Sequence, residues 1–233
     1  MKLSARLNAV AAQVGPYRKV ADIGSDHAYL PVWLAQAGKI SSAVAGEIMP
    51  GPLAAAQRTI VDAAMEEKVV ARLGDGLQIL VPGEVEVAVI AGMGGKAIRG
   101  ILERSPAVVE GLRRLVCQPM TGAPGLRSWL AANGWKIIAE ELVLEDGKLY
   151  ELLAAEHGTS SPSDALTLEI GPLLWERRHP LLLEQLARLK RQYERRAADM
   201  EKSKSVAVQK RRETCLEKIN ALEARMSCLQ AVK

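Results

Sequence analysis

Acidic residues and glycines follow the first apolar run of the chain, in the motif ADIGSDHAYLP. In a parallel α/β sheet, the carboxyl end of the first strand is a place where ligands bind, and Gly24 there lets the backbone approach a ligand closely. The three-glycine dinucleotide pattern is missing, because a polar turn that contains Asp26 takes its place. A carboxylate at this turn repels a pyrophosphate. Together with Asp22, the turn therefore favours a cationic ligand without phosphates.

Two further acids follow the next two apolar runs. Glu47 ends the run AVAGEI, where a carboxylate can accept hydrogen bonds from both hydroxyls of a ribose. Asp75 lies between Gly74 and Gly76 in LGDGL, where it can accept the amino hydrogens of an adenine. Each also has a simpler interpretation, as a surface glutamate at a strand end and as a turn-forming Asp-Gly pair.

A glycine cluster, IAGMGG, follows the fourth apolar run at residues 90–95. Its glycines and flexible methionine would lie at the sheet edge where a cofactor and an acceptor meet. The motifs at the ends of successive strands together predict one site for an adenosine-containing ligand.

The elements that must position these motifs alternate between strands and helices. Continuously apolar strands separated by helices predict a parallel sheet covered on both faces. Two extended runs around Asp146-Gly147 predict an antiparallel hairpin, which is also found at the edge of other mixed sheets. We therefore predict an α/β fold, a Rossmann-like doubly wound sheet with a C-terminal antiparallel hairpin strand, followed by an α-helical, coiled-coil-like hairpin. The predicted strands are Lys19–Gly24, Ser42–Ile48, Val69–Leu73, Val85–Ala91 and Arg114–Gln118, and the predicted helices are residues 4–14, 27–38, 52–65, 95–104 and 124–133.

The end of the chain has a different pattern. After a polar linker at residues 159–164, apolar residues recur in steps of three and four over 182–200 and 208–229. This spacing predicts two amphipathic helices, and the charged break at 201–205 favours an antiparallel hairpin. We expect residues 1–160 to form the ligand-binding domain and residues 161–233 to form the basic helical hairpin.

Charge divides unevenly along the chain, whose net charge is +4. Residues 1–174 contain 16 Lys and Arg against 19 Asp and Glu, whereas residues 175–233 contain 15 against 8. A basic tail is typical of proteins that bind a polyanion, although a solvated helical surface would explain it equally well.

Cysteine usage and hydropathy exclude several classes of protein. The three cysteines show no zinc-ligand spacing and no disulfide framework, which favours a reducing compartment and no metal. No stretch reaches the roughly eighteen apolar residues that a membrane span requires. We expect a cytoplasmic protein that does not contact a membrane.

In order and spacing, ADIGSDHAYLP, AGEI, GDGL, IAGMGG and CQPM resemble the bacterial tRNA adenine-N1 methyltransferases that modify adenine 22. The resemblance covers about residues 1–156, and the basic helical tail is compatible with it. It implies a class I methyltransferase fold, S-adenosyl-L-methionine as the methyl donor, and a D-arm adenine of tRNA as the acceptor. The cofactor-binding residues that it implies are Asp22, Gly24, Ser25, Glu47, Ile48, Asp75, Gly76, Ala91, Gly92 and Met93, and the catalytic residues are Asp26, His27 and Tyr29.

The chemistry of adenine N1 suggests roles for the residues of the turn. N1 has a free lone pair near pH 7, so the enzyme must mainly align the reactants. Asp26 is our candidate for stabilising the cationic product, His27 for positioning the base or accepting a proton, and Tyr29 for stacking on the flipped adenine. His27 and Tyr29 would alternatively be packing residues at the start of a helix. We expect phosphate contacts from basic residues largely outside the helical seam, namely Arg188, Arg191, Arg195, Lys210 and Arg211.

Other functions remain compatible with parts of the sequence. A methyltransferase that acts on another RNA, a protein or a small molecule would keep the cofactor site but leave the basic tail unexplained. A nicotinamide dehydrogenase is disfavoured by the missing glycine pattern, and a non-catalytic coiled-coil adaptor would explain only residues 175–233. A monomer is favoured, and the sequence assigns neither a general base nor a reactive role to Cys117.

Overall fold

Seven strands form one mixed sheet in the computed structural model, which describes residues 2–231. The strands are β1 (Lys19–Ile23), β2 (Ser42–Glu47), β3 (Val69–Leu73), β4 (Val87–Gly94), β5 (Arg114–Thr121), β6 (Trp135–Glu145) and β7 (Lys148–His157). Their order across the sheet is β3-β2-β1-β4-β5-β7-β6. The strand β1 pairs in parallel with both β2 and β4, so the strand order reverses beside β1, and a crevice for ligands forms at such a reversal. The strand β7 is antiparallel to β5 and β6, which confirms the predicted terminal hairpin.

Helices cover both faces of the sheet. They are α1 (Ala5–Gln13), α2 (Tyr29–Gln36), α3 (Pro50–Asp62), α4 (Gly95–Glu103), α5 (Pro106–Gly111) and α6 (Ala123–Ala132), with a short 3-10 helix at Gly76–Ile79. Successive residues of β4 alternate between two apolar clusters, since Val87 and Val89 pack in one and Ala88 and Ile90 in the other. A strand buried on both faces must be apolar at every position, which explains the continuous apolar runs of the sequence.

Several predicted boundaries are wrong near the sheet edge, by one or two residues for β1, which ends at Ile23, β2, which ends at Glu47, and α3, which begins at Pro50. The strand β4 was expected to end at Ala91, but it continues through the glycine cluster to Gly94, because this segment still pairs with a β5 that itself extends to Thr121. The helix α2 begins at Tyr29 and not at residue 27, because Asp26 and Ala28 have positive φ angles that no right-handed helix allows.

The chain divides into two compact units, Met1–Pro162 and Ser163–Lys233. The division falls within the expected polar linker at residues 159–164; Met1 and residues 232–233 of the two expected domains lie outside the described residues. The second unit contains α7 (Ala165–Ile170), α8 (Pro172–Glu176), α9 (Leu182–Met200) and α10 (Val206–Gln230). No helix within residues 2–231 is long and apolar enough to cross a membrane.

The helices α9 and α10 form the predicted antiparallel hairpin. Lys190 Nζ lies 2.7 Å from a carboxylate oxygen of Glu223, and Lys218 Nζ donates to the Tyr193 hydroxyl over 3.0 Å. Positions later in α9 thus contact positions earlier in α10. The short α7 and α8 were not predicted, because five or six residues are too few to show helical periodicity.

A buried ion triad joins α6 to the terminal hairpin of the sheet. Arg127 Nε donates to Glu140 over 2.6 Å and its Nη2 donates to Glu151 over 2.8 Å. The side chains of Arg127 and Glu140 are fully buried, and that of Glu151 is 9% exposed. Loss of the Arg127 cation would therefore remove an ion-pair partner from two buried carboxylates.

We expect Arg127→Met to lower the free energy of unfolding by about 3–5 kcal/mol, because breaking one side of a buried ion pair leaves the other side unpaired. Urea denaturation of the full chain measures the change. Arg113→Met is the matched control, since Arg113 pairs with Glu86 at 3.3 Å while its side chain is 64% exposed. Exposed pairs contribute little, so equal losses in the two variants would contradict this account of the triad.

Candidate active site at the carboxyl edge of the sheet

The turn that follows β1 has an unusual backbone. Gly24, Asp26 and Ala28 have φ angles of 72°, 61° and 56°, in the left-handed region that favours glycine. For Asp26 and Ala28 this conformation is sterically unfavourable by about 1–2 kcal/mol each. Residues with such a backbone concentrate at functional sites. The amides of Gly24 and Ser25 both donate to the carbonyl oxygen of Gly46, over 2.9 and 3.3 Å. The turn is therefore bonded to the end of the neighbouring strand β2.

Glu47, the last residue of β2, holds the same turn through its side chain. Its carboxylate accepts a hydrogen bond from the backbone N–H of Asp26. Burial raises the pKa of Glu47 above its ordinary value, while the Asp26 N–H opposes this rise. The alternative interpretation of Glu47 as a surface residue is wrong, since only 6% of it is exposed.

Asp22 is a second buried carboxylate beside Glu47. It accepts a hydrogen bond from Ser25 Oγ over 2.5 Å. Burial raises its pKa to about 6; the Ser25 bond opposes the rise, the negative charge of Glu47 adds to it, and the Arg6 cation lowers it slightly. Two adjacent buried acids create a place that favours a positively charged group.

A cleft of about 750 Å³ opens where β1 to β4 end. This volume lies within the range of about 300–1,000 Å³ that is typical of small-molecule sites. The predicted cofactor residues that line it are Gly24, Ile48, Asp75, Gly76 and Met93, whereas Asp22, Ser25, Glu47, Ala91 and Gly92 are outside its lining. Gly24 has a φ angle of 72°, which favours glycine, and the flexible end of Met93 lies beside it, since a Cβ atom at Gly24 would be 2.3 Å from Met93 Cε.

Asp75 has a partner that the sequence did not indicate. Its Oδ1 lies 3.0 Å from Arg104 Nη2, and both side chains are nearly half exposed. Arg104 follows α4 and also lines the cleft. The two residues are far apart in the sequence, so no local pattern could reveal this ion pair.

The three predicted catalytic residues lie together on the turn. The rings of His27 and Tyr29 are stacked, with centroids 5.1 Å apart and an interplanar angle of 16°. His27 Nε2 lies 3.7 Å from Asp26 Oδ1, and the Asp26 side chain is 75% exposed. Tyr29 is 43% exposed and the His27 side chain is 44% exposed, so neither ring belongs to the core, and the core interpretation of Tyr29 is wrong. The turn thus presents a carboxylate and two stacked rings to an approaching molecule.

The CQPM segment lies on β5, and its first three residues are buried. Burial raises the pKa of the Cys117 thiol to about 12, which keeps it protonated and unreactive at neutral pH. The Gln118 side chain accepts hydrogen bonds from Gly92 and from Arg6 of α1. The sequence analysis missed Gln118, although a polar residue within an apolar strand is itself a signal of a bonded role.

The site combines acids, glycines and an apolar cleft at one sheet edge. In the part of the chain that the structure describes, no three His, Cys, Asp or Glu side chains are grouped to hold a metal ion. The apolar lining suits a planar ring, while the buried acids suit hydroxyl donors and a cation.

We expect the buried Asp22 to make stability depend on pH. Because its folded pKa lies near 6 and its ordinary value is 3.8, the unfolded chain loses this proton first as the pH rises. Stability from this group is therefore lost between about pH 4 and 6. Relative to Asp22→Asn, the wild type should lose up to about 3 kcal/mol of unfolding free energy between pH 4 and pH 7.

Urea denaturation of both proteins across this pH range measures the difference. Asp62→Asn, at the exposed end of α3, is the control for the loss of one carboxylate. A difference between the wild type and Asp22→Asn that stays constant with pH would show that Asp22 does not titrate in this window.

Comparisons with known proteins agree with the geometry of this site. Residues 20–224 match the family model TrmK, tRNA (adenine(22)-N(1))-methyltransferase. A Bacillus subtilis protein named tRNA (adenine(22)-N(1))-methyltransferase is 38% identical over 215 residues, which cover 88% of this chain and 90% of that protein.

Solved structures give the same result. The crystal structure of the B. subtilis M1A22 tRNA methyltransferase TrmK has a TM-score of 0.83 at 33% identity and covers 99% of this chain and 98% of its own. Streptococcus pneumoniae Sp1610 in complex with S-adenosyl-L-methionine has a TM-score of 0.83 at 34% identity and covers 97% of this chain and all of its own. These similarities confirm both the fold class and the family resemblance predicted from the motifs. The chain belongs to the tRNA (adenine(22)-N(1))-methyltransferase family.

Proposed function

We propose that this chain transfers a methyl group from S-adenosyl-L-methionine to N1 of adenine 22 in tRNA, in the bacterial cytoplasm. The observation that carries the proposal is the placement of the Asp26–Tyr29 turn. This exposed turn directly follows β1, whose end lines the apolar cleft, and the turn is bonded to the buried Glu47. A cofactor in the cleft and a base on the turn would therefore lie next to each other.

The residues that line the cleft and those beside it fit the cofactor. Glu47 can accept hydrogen bonds from ribose hydroxyls with the lone pairs that Asp26 leaves free. Ile48 is 63% exposed and offers an apolar surface to an adenine ring. Asp75 can accept from an adenine amino group while Arg104 holds its other oxygen. When bound, S-adenosyl-L-methionine supplies an electrophilic methyl carbon on a positively charged sulfur.

The proposed cofactor site includes residues beside the cleft as well as residues that line it. Asp22 and Ser25 stabilise positive charge beside the cleft, and the residues at the end of β4 form the wall towards the acceptor. We assign cofactor binding to Asp22, Gly24, Ser25, Glu47, Ile48, Asp75, Gly76, Ala91, Gly92 and Met93.

On the acceptor side, the protein must orient the adenine, and it need not first remove a proton from it. The N1 lone pair forms the new bond directly, so no base has to remove a proton first. Positive charge then develops on the adenine, and the Asp26 carboxylate is placed to stabilise it. His27 orients the base through its ring, and its 3.7 Å approach to Asp26 lets the two act together.

Tyr29 offers a stacking surface for the base. An adenine of the tRNA D-arm is stacked within the folded RNA, and extruding it costs a few kcal/mol. Tyr29 is exposed and parallel to the His27 ring, so these rings can replace part of the lost stacking.

The helical unit supplies the charge for binding a polyanion. Four of the five predicted contact residues are exposed, namely Arg191, Arg195, Lys210 and Arg211. Arg188 differs from the expectation because it is half-buried, one position before the buried Leu189. We therefore propose the four exposed residues as phosphate contacts that give affinity without sequence readout. This basic surface favours an RNA over a protein or a small-molecule acceptor.

Nucleoside mass spectrometry tests the proposed function. A tRNA with adenine at position 22 and the same tRNA with guanine there are incubated with the protein and methyl-labelled cofactor. We expect labelled 1-methyladenosine from the first tRNA and no label in the second. Label in another nucleoside, or equal label in both tRNAs, would contradict the proposed site of methylation.

We expect Asp26→Asn to lower turnover by roughly tenfold or more, because it removes the carboxylate that faces the developing cation. Asparagine tolerates the left-handed backbone and keeps the N–H that Glu47 accepts, so the turn should persist. Cofactor affinity, measured by calorimetry, should change little. Asp146→Asn is the control, since Asp146 also has a left-handed backbone, with φ of 49°, in the turn between β6 and β7. Equal losses of turnover and affinity would make Asp26 a cofactor ligand instead.

We expect the double change Arg191→Gln with Arg195→Gln to weaken tRNA binding and reduce its salt dependence. Each lost phosphate contact should lower the slope of log affinity against log salt by roughly one. Binding titrations across a salt series measure the slope. Arg58→Gln with Lys68→Gln removes the same charge from an exposed part of the first unit and serves as control. An unchanged slope in the helical variant would contradict phosphate contact by these residues.

A further inference from the structure

A buried carboxamide joins two separate parts of the chain behind the proposed reaction site. The side chain of Gln118, on β5, is fully buried. Its Oε1 accepts from the backbone N–H of Gly92 over 3.1 Å and from Arg6 Nη1 over 3.0 Å. Because both partners are donors, the oxygen and not the amino group must face them, and the orientation of the carboxamide is determined.

Gly92 is the extra residue of a β-bulge at the end of β4. Ala91 pairs with Gln118 and Met93 pairs with Pro119, so nothing on β5 is opposite Gly92. Its φ angle is 76°, and the Gln118 oxygen binds the N–H that the ladder leaves without a strand partner. Bulges beside active sites redirect the following side chain, which here is Met93, the residue that approaches Gly24 across the cleft.

Arg6 is held on its other sides by the terminal hairpin of the sheet. Its backbone N–H donates to Glu145 Oε1 over 2.9 Å, and its Nε lies 3.9 Å from Glu145 Oε2. The guanidinium carbon lies 5.5 Å from the centre of the Tyr150 ring. The helix α1, the hairpin and the bulge of β4 are thus connected through one arginine and one glutamine.

We propose that Gln118 and Arg6 are positioning residues for methyl transfer, because they hold the Gly92 bulge that shapes the wall between cofactor and acceptor. This inference rests on the proposed function. Neither side chain needs to touch a reactant: Gln118 determines the position of the bulge, and Arg6 determines the orientation of Gln118. Displacement of this wall by a fraction of an ångström would disturb the alignment of the reactants more than the affinity for either.

The first test compares two substitutions of Gln118. Gln118→Met has a similar size but no acceptor oxygen, so the Gly92 N–H and Arg6 Nη1 both lose their acceptor. Gln118→Glu keeps an acceptor for both donors. At saturating tRNA and cofactor, we expect kcat to fall roughly tenfold or more in Gln118→Met and to stay within about threefold of wild type in Gln118→Glu. The dissociation constant of S-adenosylhomocysteine should stay within about threefold in both.

The second test substitutes Arg6. Because this side chain is partly exposed, the fold should tolerate its loss better than the loss of the buried Gln118. Arg6→Met should also lower kcat. The double variant Arg6→Met with Gln118→Met should have a kcat no lower than that of Gln118→Met alone. Arg18→Met is the control, because Arg18 Nη1 also donates to a carbonyl oxygen, that of Gly38, and should leave kcat unchanged.

Several outcomes would overturn the inference. They are unchanged kcat in Gln118→Met, a fall in kcat matched by an equal fall in S-adenosylhomocysteine affinity, or additive losses in the double variant. If Gln118→Met does not fold, unchanged kcat in Arg6→Met decides against the proposal. Failure of the proposed function is distinguishable, since the wild type itself would then form no 1-methyladenosine.

Discussion

The hydrogen bond from the Asp26 N–H to the Glu47 carboxylate connects the two halves of the site. It joins the end of β2 to a turn whose left-handed residues are costly on their own. Two further bonds to the Gly46 carbonyl hold the same turn. Glu47 is also the proposed ribose ligand, and Asp26 is the proposed partner of the cationic base. Under these proposed roles, the Glu47 carboxylate would determine how far cofactor and acceptor lie from each other.

The topology of the sheet makes this arrangement possible. The strand order reverses beside β1, so the ends of β1, β2 and β4 surround a crevice that no crossover helix fills. At Gly24 a φ angle of 72° favours glycine, and the flexible end of the Met93 side chain lies beside it across the crevice. On the far side, the Gln118 and Arg6 pair connects the wall of this crevice to α1 and to the terminal hairpin. The site is thus supported by elements from the whole first unit.

The sequence predicted what depends on local patterns and missed what depends on contacts between distant residues. The apolar strands, the turn at Asp146-Gly147 and the helical seam were visible, since each follows from neighbouring residues. The extension of β4 through the glycine cluster was not, because its pairing with β5 is non-local. The positions of Asp22, Glu47 and Asp75 at the ends of successive strands identified these acids as one set. They did not reveal that Arg104 pairs with Asp75 or that Gln118 bonds Gly92, because those partners come from separate elements.

Calorimetric titration of S-adenosylhomocysteine into the wild type and into Glu47→Ala tests the central role of Glu47 most directly. Loss of the carboxylate removes the proposed ribose contacts, so the affinity should fall by about 1–3 kcal/mol, or roughly five- to 150-fold in the dissociation constant. Glu67→Ala, an exposed acid that precedes β3, should bind as the wild type does. Unchanged affinity in a folded Glu47→Ala protein would contradict the assignment of the ribose to Glu47 and the account of the site built on it.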